Sequence, residues 1–323
     1  MSLKKVIASI FVFTFLFSSL TTAAWAGEAW RDYYQQYLAK DLVSQTKAVS
    51  QVKKMEMYLI DEKSGDVTGD GIKDNIWLIG RKAKGDSAFA QNLFILVQNG
   101  RTEKITAKYL ENLAGYDSKL FVGDFTGDRV KDIMITAPTE ENSVGKAEYR
   151  IITWKNSKPV IIFGEEENAG VEFTLEFLDG FKVQLDNQYF KKPLTLNLNH
   201  NKKAYIKKGI YDSKGILLKE VEGSVLPFSE LKPVDLDEDG IYELQGQQRI
   251  VGALGTDNLA QVKSIWKFTS GEFKVRKIQL SISSSLNDGS RSGVVNWQGR
   301  AYFPQIDSLN GKVIWNVSSS VSR

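Results

Sequence analysis

Three nine-residue segments repeat one spacing of oxygen-bearing side chains, each between runs of strand-forming residues. They are Asp66 to Asp74, Asp124 to Asp132 and Asp235 to Glu243. Position 1 is Asp66, Asp124 and Asp235; position 3 is Thr68, Thr126 and Asp237; position 5 is Asp70, Asp128 and Asp239. Position 9 closes each segment with Asp74, Asp132 or Glu243, and the apolar residue at position 7 is Ile72, Val130 or Ile241. Oxygens two residues apart in a tight loop converge on one centre. A fold built around such segments must therefore hold them as rigid turns between strands.

The donor set suits a hard cation. Calcium takes about six to eight oxygens at roughly 2.3 to 2.6 Å. Side chains at positions 1, 3, 5 and 9 supply most of them, and the carbonyl of position 7 supplies another. The side chains of Ile72, Val130 and Ile241 are then expected to enter the core. Gly71 and Gly240 occupy position 6, where the loop turns sharply. The third loop has four carboxylates and is expected to bind most tightly. The second carries Arg129 in place of the glycine, which costs backbone freedom and brings a cation near the ion. The alternative is three acidic turns without metal. An EF-hand is excluded, because position 12 is Trp77, Ile135 and Gly246 and the following residues read as strand.

From Met55 onward, short runs rich in β-branched and aromatic residues alternate with turn signals such as Asn99-Gly100, Asp179-Gly180 and Asn310-Gly311. Few helical stretches lie between them, so a sandwich, barrel or propeller is expected rather than a parallel α/β sheet. Before them, residues 28 to about 57 predict a helix. Trp30, Tyr33, Tyr34, Tyr37, Leu38, Leu42 and Val43 recur at spacings of three and four, as a docking face would.

The loop pattern resembles the FG-GAP repeat of integrin α-chain propellers and of bacterial VCBS-repeat proteins. Gly123-Asp124-Phe125-Thr126-Gly127-Asp128 is close to the repeat's core, and Leu120-Phe121-Val122-Gly123 is the nearest trace of the FG-GAP half. The whole chain is similar to secreted proteins of this type from bacilli, some of them labelled spore coat proteins. The resemblance implies calcium as cofactor and a mainly β fold, a β-propeller-like array. Asp66 and Asp124 are 58 residues apart and Asp124 and Asp235 are 111 apart, as if a repeat near Asp179 had lost its loop. One more step reaches Asp288-Gly289, giving four or five units of about 55 to 60 residues each. A paired β-sandwich is the alternative architecture.

The N-terminus reads as a signal peptide over 1–26: Lys4 and Lys5, an apolar run from Val6 to Leu20, then Ala24-Trp25-Ala26 before Gly27. The expected division is thus a leader, a helical segment at 27–57 and a β domain at 58–323. Formal charge is +3, or +1 without Lys4 and Lys5, which disfavours nucleic acid as a partner. No later segment is apolar enough to span a membrane. The chain has no cysteine, so disulfides and an acylated anchor are excluded, and metal is one remaining stabiliser of an exported fold.

His200 is the only histidine. A Cys/His pair is excluded, and histidine-rich zinc chemistry and a Ser/His/Asp triad are disfavoured. Paired carboxylates acting on a carbohydrate remain open, as does a role in coat or surface-layer assembly. The leading expectation is a calcium-stabilised extracellular binding or structural module without catalysis. Its expected partners are a cell-wall polymer, a glycan or another surface protein. Lys191, Lys192, Lys202, Lys203, Lys207 and Lys208 form a basic cluster, expected to be solvated surface or a contact for an anionic polymer.

Overall fold

A computed structural model describes residues 29–34, 56–141, 146–155, 158–189, 193–282, 295–297, 300–306 and 313–317. The chain divides into two compact units, Met1–Leu120 and Phe121–Arg323. This is a finer division than one β domain from 58 to 323. The expected signal segment lies outside the described residues. No helix among those described is long and apolar enough to cross a membrane.

In the first unit, helix α1 (Ala29–Tyr33) carries the start of the expected helix. Trp30 is buried against Trp77, Ile79, Phe94 and Leu96, the docking role its spacing implies. Tyr37, Leu38, Leu42 and Val43 fall outside the described residues. Glu56 and Met57, expected at the helix end, instead open a strand that pairs with Lys82 and Arg81.

The sheet of this unit is antiparallel, in the order β1 (Glu56–Gly65), β2 (Asp74–Lys82), β3 (Phe89–Gln98), β4 (Ile105–Tyr109), with β5 (Gly115–Tyr116) also on β3. Ile76 to Ile79 and Leu93 to Val97 are buried without interruption. Continuous burial means that β2 and β3 are covered on both faces, which is why their sequences lack a polar alternation.

The second sheet runs β6 (Lys119–Gly123), β7 (Asp132–Pro138), β8 (Ala147–Lys155), β9 (Lys158–Phe163). Helix α2 (Glu165–Asn168) follows. A three-stranded meander comes next, β10 (Thr174–Leu178), β11 (Lys182–Asp186), β12 (Leu194–Asn197), turned at Asp179-Gly180 as the sequence signals. Helix α3 (Lys202–Lys207) holds four of the basic cluster's lysines at or near its ends.

The largest sheet contains β13 (Ser224–Val225), β14 (Glu230–Val234), β15 (Glu243–Val251), β16 (Asn258–Thr269) and β17 (Glu272–Ile282). It continues to β18 (Val295–Trp297), β19 (Arg300–Ile306) and β20 (Val313–Val317). In β16 and β17 buried and open positions alternate, as in a sheet with one face on the core. That core joins Phe125, Phe163, Phe177, Tyr205, Trp266 and Phe273 into one cluster.

The fold is therefore mainly β, with antiparallel sheets. One pattern recurs in it. β1–β4, β6–β9 and β14–β17 are each four strands paired in sequence, and an acidic loop joins the first strand to the second every time. The turn at Asp179 sits in the meander without such a loop. Asp288-Gly289 and Asn310-Gly311 lie outside the described residues.

Candidate metal loops

Each loop is built on the same internal hydrogen bonds. The position 1 carboxylate folds back over the turn. Asp66 accepts from the N–H groups of Gly69 at 2.7 Å and Gly71 at 2.8 Å. Asp124 accepts from Gly127 at 2.6 Å and Arg129 at 2.8 Å. Asp235 accepts from Asp239 at 3.1 Å and Gly240 at 3.0 Å. The position 5 carboxylates of Asp70, Asp128 and Asp239 take the N–H groups of Ile72, Val130 and Ile241 at 2.8, 2.9 and 2.8 Å. The position 9 carboxylates reach back to position 2: Asp74 to Val67 at 2.8 Å, Asp132 to Phe125 at 2.8 Å, Glu243 to Leu236 at 3.4 Å. Thr68 also donates to Asp74 through its N–H at 2.9 Å, as Thr126 does to Asp132 at 3.1 Å.

This geometry gives acidic residues a local use at these positions. The turn needs acceptors for N–H groups that no strand can pair. Positions 4 and 6 take left-handed backbone, with φ of 77° and 83° at Gly69 and Gly71 and 59° and 83° at Glu238 and Gly240. Arg129 adopts φ 68° at position 6, so the expected strain is present, a cost of roughly 1–2 kcal/mol for a residue with a Cβ.

The expectation for position 7 is corrected. Ile72 is 40% exposed, and Val130 and Ile241 are half-buried. Position 2 enters the core instead, with Val67 and Phe125 fully buried, although Leu236 stays exposed. Where the position 9 carboxylate holds the position 2 N–H at 2.8 Å, in the first two loops, that residue is drawn under the loop; in the third the contact lengthens to 3.4 Å and Leu236 stays out. Position 9 itself is buried in every case.

The loops differ in how their carboxylates assemble. Among the described residues, Asp235, Asp237 and Asp239 bring three carboxylate oxygens within 4.8 Å of one another. At position 9 of that loop Lys267 donates to Glu243 at 2.6 Å and lies 3.8 Å from Asp237. The hydrogen bond from Lys267 to Glu243 raises the ammonium's pKa above its ordinary value. In the second loop, Asp132 Oδ1 is buried without a hydrogen-bond partner. Burial pushes that carboxyl up to about 6 against the pull of the Thr153 hydroxyl nearby and then of the Phe125 and Thr126 N–H groups. In the first loop, Asn99 donates to Thr68 Oγ1 and to Asp70 Oδ2, both at 2.7 Å. This amide, then the Ile72 N–H, holds the Asp70 carboxyl below the usual range.

Tested against calcium, the third loop fits by its donor set, with Glu243 shared with Lys267. The second fits by its orphaned buried oxygen, which a cation would satisfy. The first does not fit, because protein donors already meet positions 3 and 5. The second and third loops also touch. Asp124 and Ile241 form a parallel β-bridge, and the Tyr242 N–H donates to the Asp124 carbonyl at 2.7 Å. Sequence reading missed this contact, since nothing in either nine-residue segment signals the other.

Elsewhere in the second unit, Tyr189, Trp266 and Phe273 line a cavity of about 400 Å³ with Glu172, Lys274 and Arg276. Arg276 Nε is buried without a partner. Trp77, Trp154 and Trp266 are buried, as core packing requires, while the side chains of Trp297 and Trp315 lie outside the description. His200 is exposed on a 3-10 turn.

Comparison with known proteins places residues 171–281 in the YybI C-terminal domain family. The uncharacterized protein YybI of Bacillus subtilis (strain 168) is 31% identical over 228 residues, or 70% of this chain and 86% of that protein. Among solved structures, the exotype rhamnogalacturonan lyase YesX aligns with 81% of this chain at 14% identity and a TM-score of 0.31. The alignment spans 39% of that enzyme, and a likeness of this size carries no argument about fold or activity. The relation to YybI extends over most of both proteins, and this chain belongs to the YybI family.

Proposed function

We propose that this chain is a calcium-stabilised extracellular binding or structural module without catalytic activity. One observation carries the reading: the convergence of Asp235, Asp237 and Asp239 within 4.8 Å. Three ionised carboxylates so close repel one another, and a divalent cation removes that repulsion. Asp235, Asp237, Asp239 and the Ile241 carbonyl would hold the ion, with Glu243 released to it from Lys267. Asp124, Thr126, Asp128, the Val130 carbonyl and Asp132 would form the second site. Bound calcium supplies positive charge and cross-links the loop, a role disulfides cannot take in a chain without cysteine.

The recurring four-stranded unit supports an FG-GAP-type repeat, and we propose that the three loops mark copies of it in a propeller-like array. The cavity beside Trp266 supports a glycan or cell-wall polymer as partner. Among the rings lining it, half-buried Tyr189 is the one open to pack on a sugar, and Lys274 and Arg276 suit an acidic substituent. The proposed location is the cell exterior or the cell or spore surface, after cleavage before Gly27.

The test is a binding screen of the chain starting at Gly27 against glycans and cell-wall polymers, in calcium and in chelator. Binding that needs calcium and leaves the polymer intact is expected. Depolymerisation of a bound glycan would refute the non-catalytic reading.

A further inference from the structure

The turn between β3 and β4 sits directly on the first loop. Its Asn99 amide nitrogen donates to Thr68 Oγ1 and Asp70 Oδ2 at 2.7 Å each. These are positions 3 and 5. The amide cannot be turned round, because Asn99 Oδ1 is held by three donors of its own turn. They are the N–H of Arg101 at 3.1 Å, the N–H of Thr102 at 2.7 Å and the Thr102 hydroxyl at 2.8 Å. Reversal would set a carbonyl oxygen against the Asp70 carboxylate and strand those three donors.

The remaining acceptors are also filled. Asp70 Oδ1 takes the Ile72 N–H at 2.8 Å, and Asp74 Oδ1 takes the Gly100 N–H at 2.9 Å. A Cβ at position 100 would collide with the Lys73 carbonyl, so glycine is what lets the turn approach this closely. Positive charge is present as well. The Arg101 guanidinium donates to the Asp70 carbonyl at 2.6 Å and places Nε 3.7 Å from Asp70 Oδ2. In the third loop, by contrast, the Asp239 carboxylate takes the Ile241 N–H on Oδ1, and Asp239 lies with Asp235 and Asp237 in the carboxylate cluster.

We infer that Asn99 and Arg101 fill the ligand positions of the first loop in place of an ion, so that calcium acts on the second unit and leaves the first unchanged. The two amide hydrogens and the guanidinium do what a hard cation would do: they satisfy Thr68 Oγ1 and Asp70 Oδ2 and set a positive charge beside Asp70. A calcium ion would have to displace three hydrogen bonds and approach a guanidinium to enter. The effect on the second unit rests on the calcium reading of the third loop; the closure of the first loop does not.

Hydrogen exchange of the full chain, read by mass spectrometry in calcium and in chelator, tests both parts. Peptides covering 66–74 are expected to exchange at the same rate in the two buffers, whereas those covering 235–243 slow with calcium. Asn99→Ala is expected to speed exchange at 66–74 by about tenfold in both buffers, the loss of roughly 1.4 kcal/mol of local protection. Calcium-dependent protection of 66–74 in the wild-type chain would overturn the inference, and this comparison needs no variant. Unchanged exchange at 66–74 in a folded Asn99→Ala chain would overturn it as well. If 235–243 ignores calcium while 66–74 behaves as expected, the calcium function fails and the Asn99 closure stands.

Discussion

Glu243 shows how one side chain sets the character of a loop. It is almost fully buried, accepts the Leu236 N–H weakly at 3.4 Å, and is neutralised by Lys267 at 2.6 Å. Lys267 is thus an internal competitor for any ion bound by Asp235, Asp237 and Asp239. Lys267→Met keeps the length of the side chain and removes the charge. It is expected to tighten calcium binding several-fold and to widen the gap between melting temperatures in calcium and chelator, because buried Glu243 then keeps only the weak Leu236 N–H bond and is left to the ion. Isothermal titration and thermal unfolding read the two effects. A second residue-scale test lies away from the loops. The Tyr205 hydroxyl donates to Asp257, and both residues are buried. Burial, reinforced by Asp257, raises the Tyr205 pKa far above its ordinary value of 10.0, and burial pushes Tyr211 up to about 12. A pKa raised in the folded state contributes stability that is complete below pH 10 and is lost as pH rises above it. Melting temperature is therefore expected to fall above pH 10, and less steeply in Tyr205→Phe. At neutral pH that variant should cost about 1–3 kcal/mol, since Asp257 loses a donor.

At the scale of elements, the three four-stranded units explain what the sequence could and could not reveal. Strand runs and the turns at Asn99-Gly100 and Asp179-Gly180 were legible, because β-branched patterning and turn chemistry are local. The loops were legible as loops for the same reason. Their carboxylates were readable as ligands, but their role as acceptors for the turn's own N–H groups was not, since the motif is silent on which oxygen faces inward. Position 7 was misread because the choice between positions 2 and 7 as the buried residue depends on the fold of the position 9 side chain. Asn99 lies 29 residues from Asp70, and Lys267 lies 24 from Glu243, so strand pairing alone brings them together. Helix α1 offers a check on docking. Trp30→Ala removes a ring that is 3% exposed, and is expected to destabilise the first unit by about 3–5 kcal/mol. Unfolding followed through exchange of β2 and β3 peptides measures it. A loss below 1 kcal/mol would show that α1 contributes no packing of consequence.

For the whole molecule, the first unit has its loop closed by its own amide, and the second holds two loops that meet at the Asp124–Ile241 bridge. An ion that binds only the folded state stabilises it by mass action, about 2.7 kcal/mol at a hundredfold excess over the dissociation constant. That is a large share of a net stability of roughly 5 to 15 kcal/mol. Magnesium is expected to substitute poorly, as it demands octahedral geometry and holds its waters. The most direct measurement is scanning calorimetry of the chain from Gly27 in calcium, magnesium and chelator, with Asp239→Ala and Asp128→Ala alongside. Calcium is expected to raise the transition of the second unit, Asp239→Ala to abolish most of that rise, and Asp128→Ala to reduce it less. Superimposable curves for the wild-type chain in calcium and chelator would contradict it.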